Sequence, residues 1–396
     1  MLDGVPLPAL LIDQASLRSN ARAMRDYVDA HGMLLAPHVK THMSPELWRV
    51  QEEHGAVAAT VATASQLVAL AEAGVRRFLV ANEVVAAADL ALLAAARREH
   101  GARIIVFADS VAGVGLMDAA LAGLAADLPP LDVLVDFGLR GRRTGTRTAA
   151  EALAVAEAVH AAPRLRLRGL GGYEGVLWSA PAQSRPAQTD AYLDDAVAVV
   201  RELLDRGLLA EAEDPGADPA DLWTGGAIVS FGGSDLYPAV ADRVRAAFPP
   251  ERVRIVLRSG CYLTLDHGRY RHAQQTVTAQ HPLPSFEPAL QVWGTVLSAP
   301  ESGLAVVGVG KRDLSYDDAP PVTLAFARDG VVGPLPETTP AAMFDQHIVL
   351  HTDRLAVGDL VGFGVSHPCT TFDKWREARI VDDEYRTVSR IRTLFH

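Results

Sequence analysis

Two short runs carry residue types and spacings able to do chemistry. Pro37-His38-Val39-Lys40-Thr41-His42 places a lysine after a short apolar run and before a helix expected near Ser44-Pro45-Glu46. A lysine at the tip of a buried strand has its pKa lowered by burial, so it can form a Schiff base and then act as a base. Ser366-His367-Pro368-Cys369-Thr370-Thr371 sets a histidine and a cysteine two positions apart. On an extended segment both side chains face the same way. A thiolate with an imidazole favours zinc over magnesium or manganese, and two protein ligands leave positions for water and substrate. Together they suggest pyridoxal phosphate chemistry assisted by a Lewis acid. Each run also has a plainer reading, as one lysine among 37 Lys and Arg residues and as a buried cysteine beside a capping histidine.

The elements that must position these residues alternate. Short apolar runs at 34–36, 56–60, 77–80, 104–107, 131–135, 167–171, 227–230 and 254–257 are separated by stretches of helical period such as Ala64–Ala73 and Ala149–Ala161. Eight strand–helix units predict a closed (β/α)₈ TIM-like barrel over residues 1–270, with a doubly wound open sheet as the alternative. Ser179–Asp190 and the acidic Glu211–Pro219 are expected to be surface loops. After about residue 270 strand-like pieces follow one another without helices, at 291–297, 304–309, 322–327, 348–351, 360–363 and 385–395. They predict a C-terminal antiparallel β-domain over 271–396 that carries the metal pair, and which the first residues of the chain could join.

Composition narrows the function. The hydrophobic fraction of 49% supports a large core, and a net charge of −11 argues against a nucleic-acid partner. No apolar run approaches the ~18 residues of a membrane span, and the first residues show no secretory pattern. Two cysteines, Cys261 and Cys369, in 396 residues make a disulfide framework unexpected and favour a reducing, cytoplasmic setting. Packing is the expected role of Cys261 and chemistry that of Cys369.

Gly232-Gly233-Ser234 follows the seventh run and would open the next helix, offering backbone amides to a phosphate. Arg258-Ser259-Gly260-Cys261-Tyr262 ends the eighth with a cation, a close-approach glycine and an aromatic. With Asp136–Arg147 and Tyr173-Glu174-Gly175, these motifs resemble in order and spacing the alanine racemase-like (fold type III) pyridoxal phosphate enzymes. Among them the chain is most similar to the D-serine dehydratase and D-threonine aldolase group.

The resemblance implies that Lys40 carries the cofactor and Arg143 approaches its phenolic oxygen, although Arg142 stands beside it. It implies that Tyr173 lies at the cofactor ring, and that Gly232, Gly233, Ser234, Gly260 and Cys261 hold the phosphate, largely through backbone amides. Arg258 then faces the pyridine nitrogen and Tyr262 closes the pocket. His367 and Cys369 become zinc ligands. His-x-Cys is the dehydratase pattern, whereas aldolases of the group typically show His-x-Asp. The expected activity is therefore a dehydratase, converting a D-3-hydroxy amino acid such as D-serine to a 2-keto acid and ammonia in a homodimer. The alternatives are retro-aldol cleavage to glycine and an aldehyde, racemisation, and a non-catalytic cofactor-binding protein. His347 is expected to be a surface or substrate-side group, and Thr371–Arg376 has no assigned role.

Overall fold

In the computed structural model residues 2, 4–125, 127–209, 221–224, 226–250, 252–278, 284–336 and 339–395 are described. The chain divides into two compact units, one of residues 25–40 and 51–260, the other of residues 1–24, 41–50 and 261–396.

The first unit holds eight parallel strands: Leu34–Leu35, Ala59–Val61, Arg77–Glu83, Arg103–Ala108, Leu131–Phe137, Leu165–Gly172, Ala227–Phe231 and Val253–Leu257. The first strand pairs with the eighth, and each of the others pairs with its successor. Bridges from Leu35 to Ala56 and from His38 to Thr60 join the first strand to the segment around the second, which closes the ring. All eight runs read as strands are strands. They are largely apolar because helices cover one face and the barrel interior the other, with charged residues such as Arg77, Glu83, Asp132 and Asp136 near strand ends. Ala36, Leu79, Ile105, Phe107, Leu134, Ile228 and Val256 share one buried cluster.

Side-chain caps start three of the intervening helices, Ala64–Glu72, Val111–Leu124 and Ala149–Ala161. Thr63 accepts from Gln66 N, Ser110 from Gly113 N and Thr148 from Glu151 N, each at 3.2 Å, satisfying donors that have no partner within a helix. The loop expected over Ser179–Asp190 is not one. Glu174–Ser179 is a 3₁₀ turn and Arg185–Asp205 a helix. Pro186 fits its first turn, where no N–H is needed, and Thr189 Oγ1 bonds back to Arg185 O at 2.9 Å. The acidic segment Glu211–Pro219 lies outside the described residues.

The second unit is built on a ten-stranded sheet. Its central strand Leu290–Glu301 pairs antiparallel with Leu360–Gly364 and with the N-terminal strand Ala9–Asp13. Ala9–Asp13 also pairs parallel with Glu377–Val381, so the sheet is mostly rather than wholly antiparallel. Sequence reading missed Ala9–Asp13, Glu377–Val381 and the short strands Val331–Pro334 and Ala342–Met343. It also missed the helix Arg269–Thr278, whose start is fixed by Asp266 Oδ1 accepting from Gly268 N and Tyr270 N at 2.9 Å. No described helix is long and apolar enough to cross a membrane.

Candidate active site

Lys40 sits in the barrel unit, on the turn that follows the first strand. Ala36 N donates to Leu257 O (2.8 Å) and His38 N to Arg258 O (3.0 Å), which holds the strand in register up to a 3₁₀ turn over Val39–Thr41. Lys40 is half-exposed there, beside the buried Val39. The backbone of Gly260 lies against this turn, where a Cβ would come within 2.3 Å of His38 O, so only glycine fits. Burial holds the His38 imidazole well below its usual pKa, and the charges of Lys40, Arg258 and Arg143 push it further down. His38 is therefore neutral at physiological pH.

Those three charges are residues singled out from the sequence, and the fold gathers them around His38. Arg143 stands exposed on the loop after the fifth strand, with its guanidinium 5.3 Å from the centre of the Tyr173 ring. Arg258 is 1% exposed and donates through Nη1 to Ser230 Oγ (2.7 Å) and through Nη2 to Gly172 O (2.6 Å). Gly232 passes so close to Arg258 that a Cβ would meet its N at 2.3 Å.

The Gly232-Gly233 turn differs from expectation in one respect. Gly232 N donates to Glu174 Oε2 (3.1 Å) and Gly233 N to Glu174 Oε1 (2.8 Å), so these two amides serve a buried carboxylate rather than standing open to a phosphate. Glu174 is fully buried. Burial pushes its carboxyl up to about 6, against the lowering pull of backbone amides and of Arg258. Ser234 is half-buried just beyond, and the next helix starts only at Tyr237.

Sequence reading gave no role to three carboxylates at the C-terminal ends of neighbouring barrel strands: Glu83, Asp109 and Asp136, the last of which opens the Asp136–Arg147 motif. Burial, reinforced by Asp136 and Asp109, raises Glu83 to about 8, and burial raises Asp136 as well. Asp109 Oδ2 accepts from Gly145 N (3.2 Å) and Asp136 O from Thr146 N (2.8 Å), which anchors the loop bearing Arg143. Their place at strand ends was the available signal.

The remaining residues of interest lie in the second unit. Cys261 and Tyr262 open a buried 3₁₀ turn, with the Tyr262 ring 5.8 Å from that of Phe286. The segment expected to be extended at His367-Cys369 is a short helix, Pro368–Phe372, with His367 at its N-terminal boundary. Proline at its first position favours that helical start. His367 N donates to Ser315 Oγ (3.0 Å), and His367 Nδ1 lies 2.7 Å from Asp317 Oδ2. Thr370 Oγ1 donates to the other oxygen of Asp317 at 2.9 Å.

Cys369 Sγ is 3.4 Å from Thr41 Oγ1 and 3.8 Å from Cys261 Sγ. The two cysteines, expected to play separate parts, are thus neighbours. The hydrogen bond with Cys369, together with burial, pushes the Cys261 thiol well up. Within Thr371–Arg376, Thr371 Oγ1 accepts from Ser315 N (3.1 Å) and Trp375 Nε1 donates to Asp313 O (2.6 Å), so this run braces the helix. His347 is exposed ahead of the strand Ile348–His351.

Two observations bear on what these places can hold. In the barrel unit the buried His38 Nδ1 and Arg258 Nε have no hydrogen-bond partner among the described residues, and both stand where the lysine turn and the glycine turns converge. Buried polar atoms without partners are costly, and a polar aromatic aldehyde bearing a phosphate fits them. In the second unit no group of three or more His, Cys, Asp or Glu side chains among the described residues is placed to hold a metal. His367 and Cys369 offer two donor atoms two positions apart in the chain. With Asp317 on Nδ1, a metal there would take Nε2, the usual carboxylate–histidine arrangement.

The alanine racemase N-terminal domain model matches residues 12–212, and the model described as a putative serine dehydratase domain matches residues 289–381. The chain belongs to the alanine racemase N-terminal domain family. A 3-hydroxy-D-aspartate aldolase of Paracoccus denitrificans (strain Pd 1222) is 29% identical over 83% of this chain and 77% of its own. The crystal structure of a D-threonine aldolase from Filomicrobium marinum superposes with a TM-score of 0.78 at 25% identity, covering 98% of this chain and 95% of that one. The D-threo-3-hydroxyaspartate dehydratase of Delftia sp. HT23 shares the fold, with a TM-score of 0.76 at 20% identity over 99% of this chain and 98% of that one. In this alanine racemase-like family pyridoxal phosphate is the implied cofactor, and the relatives named act on small D-amino acids.

Proposed function

We propose that this chain is a metal-assisted, pyridoxal phosphate-dependent dehydratase. It would eliminate the β-hydroxyl of a D-3-hydroxy amino acid and release a 2-keto acid and ammonia. The observation that carries the reading is the pair His367 and Cys369, with Asp317 orienting the histidine. Structures of a D-threo-3-hydroxyaspartate dehydratase include variants of a histidine and of a cysteine two positions apart, the cysteine variant in a metal-free form. His367 and Cys369 have the same spacing.

Bound in these places, pyridoxal phosphate would supply an electron sink for the α-carbon and a divalent metal a Lewis acid for the departing hydroxyl. The protein's own groups do the rest. Lys40 Nζ would hold the cofactor and take the substrate's Cα proton. Arg258, locked by Ser230 and Gly172, would present its Nε as a fixed donor. Arg143 and Tyr173 would flank the cofactor ring, and Ser234 and Gly260 would bind its phosphate beside the Gly232-Gly233 turn, whose amides Glu174 holds. His367 and Cys369 would hold the metal.

A second reading, retro-aldol cleavage to glycine and an aldehyde, is favoured by the aldolase names of the sequence relatives. The test is product analysis with D-serine, D-threonine and D-threo-3-hydroxyaspartate, using zinc-supplemented and chelated protein. Keto acid and ammonia, lost on chelation, support the dehydratase. Glycine plus aldehyde supports the aldolase. Racemisation undiminished by chelation refutes both.

A further inference from the structure

Glu174 is a carboxylate buried completely, with the backbone N–H groups of Gly232 and Gly233 aimed at its two oxygens. Burying a carboxylate is expensive unless hydrogen bonds and a charge partner compensate it, as the two amides and Arg258 do here. What Glu174 fixes is a turn with no side chains of its own to hold it. Gly232 presses on the backbone of Arg258, and a Cβ on Gly233 would meet Gly175 Cα at 2.8 Å. The turn after the seventh barrel strand is thereby stapled to the turn after the sixth, which also presents Tyr173. We propose that Glu174 is a positioning residue: by holding the Gly232 and Gly233 amides it sets the turn that brings Ser234 to the cofactor's phosphate, and its negative charge is required for this.

The inference rests on the cofactor reading above. The groups facing Glu174 are Arg258, which favours its ionised form, and Tyr192; Asp136 in turn faces both of these. As pH falls through about 6, Glu174 takes up a proton and loses an acceptor for the two amides. The turn then loosens and phosphate binding weakens.

The experiment titrates cofactor-free full-length protein with pyridoxal phosphate and, in parallel, with pyridoxal, which lacks the phosphate. The absorbance of the lysine-bound chromophore is followed between about pH 5 and pH 8. Glu174→Gln should weaken pyridoxal phosphate binding about ten- to a hundredfold, as expected for loss of hydrogen bonds to a charged group, and leave pyridoxal binding unchanged. Wild-type affinity for pyridoxal phosphate should fall more steeply below about pH 6 than that of Glu174→Gln. Glu174→Asp, one methylene shorter but still charged, should keep the steep pH response with a severalfold loss.

Equal binding by wild type and Glu174→Gln at every pH would overturn the proposal. So would a loss of pyridoxal binding as large as that of pyridoxal phosphate, which would mark a merely structural residue. If Glu174→Gln does not melt cooperatively, Glu174→Asp decides: the wild-type preference for the phosphorylated ligand, unchanged, refutes the role. Lys40→Ala separates the two readings. A chromophore that survives in Lys40→Ala defeats the cofactor assignment, whereas its loss there with normal binding in Glu174→Gln defeats only this inference.

Discussion

At the barrel turn Gly232-Gly233 the donors are backbone amides, and a buried carboxylate decides their direction. At the Cys369 turn the donors are side chains on a five-residue helix, steadied by Asp317 and Ser315 near the surface. The first arrangement is woven into the packing of the barrel, because Arg258, Glu174 and Asp136 are mutually dependent buried charges. The second can be altered with little disturbance to its unit, because its side chains are half-exposed. Loss of the buried cation Arg258 behind the barrel turn should therefore appear as instability, and damage to the Cys369 turn as lost metal or activity.

The largest effect expected on the barrel side is chemical. Lys40→Ala should lower turnover about 10³-fold or more, the scale of a lost acid–base group, with little change in melting temperature. Steady-state rates beside a thermal melt check this, and near-normal turnover would remove Lys40 from the reaction. Arg258→Leu tests the mutual dependence of the buried charges. It leaves Glu174 and Asp136 without their cation and should cost about 3–5 kcal/mol in denaturant unfolding. A cost below ~1 kcal/mol would mean that the barrel turn is no more woven in than the other.

The second unit is not free of buried charge chemistry, and His267 sharpens the contrast. Burial, aided by Arg271, lowers its imidazole to about 4. The folded state thus refuses a proton that the unfolded chain accepts near 6.5. Its contribution to stability is present above that value and is lost as pH falls from about 6.5 toward 4, a change on the order of 3 kcal/mol. Unfolding free energy measured across that window should lose this slope in His267→Leu. An identical slope in both proteins would exclude His267 as its source. The smallest effect belongs to the metal pair. Asp317→Asn should weaken metal affinity about 10–100-fold through loss of the carboxylate on His367, without measurable loss of stability. Metal titration by calorimetry decides it, and unchanged affinity would place the metal elsewhere.

Much of the barrel could be read directly from the chain. Period-two and period-3.6 patterns are local, and each of the eight runs flanked by helices became a strand of one parallel ring. The β-rich remainder was legible as texture but not as topology. Ala9–Asp13 pairs with strands some 280 and 370 residues later, a relation that no local period encodes. Lys40, Arg258, His367 and Cys369 stood out by type and spacing, whereas Arg143 was picked out, beside Arg142, only through the family resemblance.

Asp109 and Glu83 did not stand out, and Asp136 and Glu174, although inside quoted motifs, were given no role, because a carboxylate in sequence is ordinarily a solvated charge. Only burial makes it a staple or a proton store. The proximity of Cys261 to Cys369 was equally hidden, since 108 positions separate them. Sequence alone determined which elements form and which side chains are able to react, because propensity and functional-group chemistry belong to single residues. Tertiary structure decided which amides Glu174 would hold, which charges surround His38, and that His367 would begin a helix rather than lie on a strand. Desolvation, long-range pairing and backbone crowding exist only once distant segments are packed together.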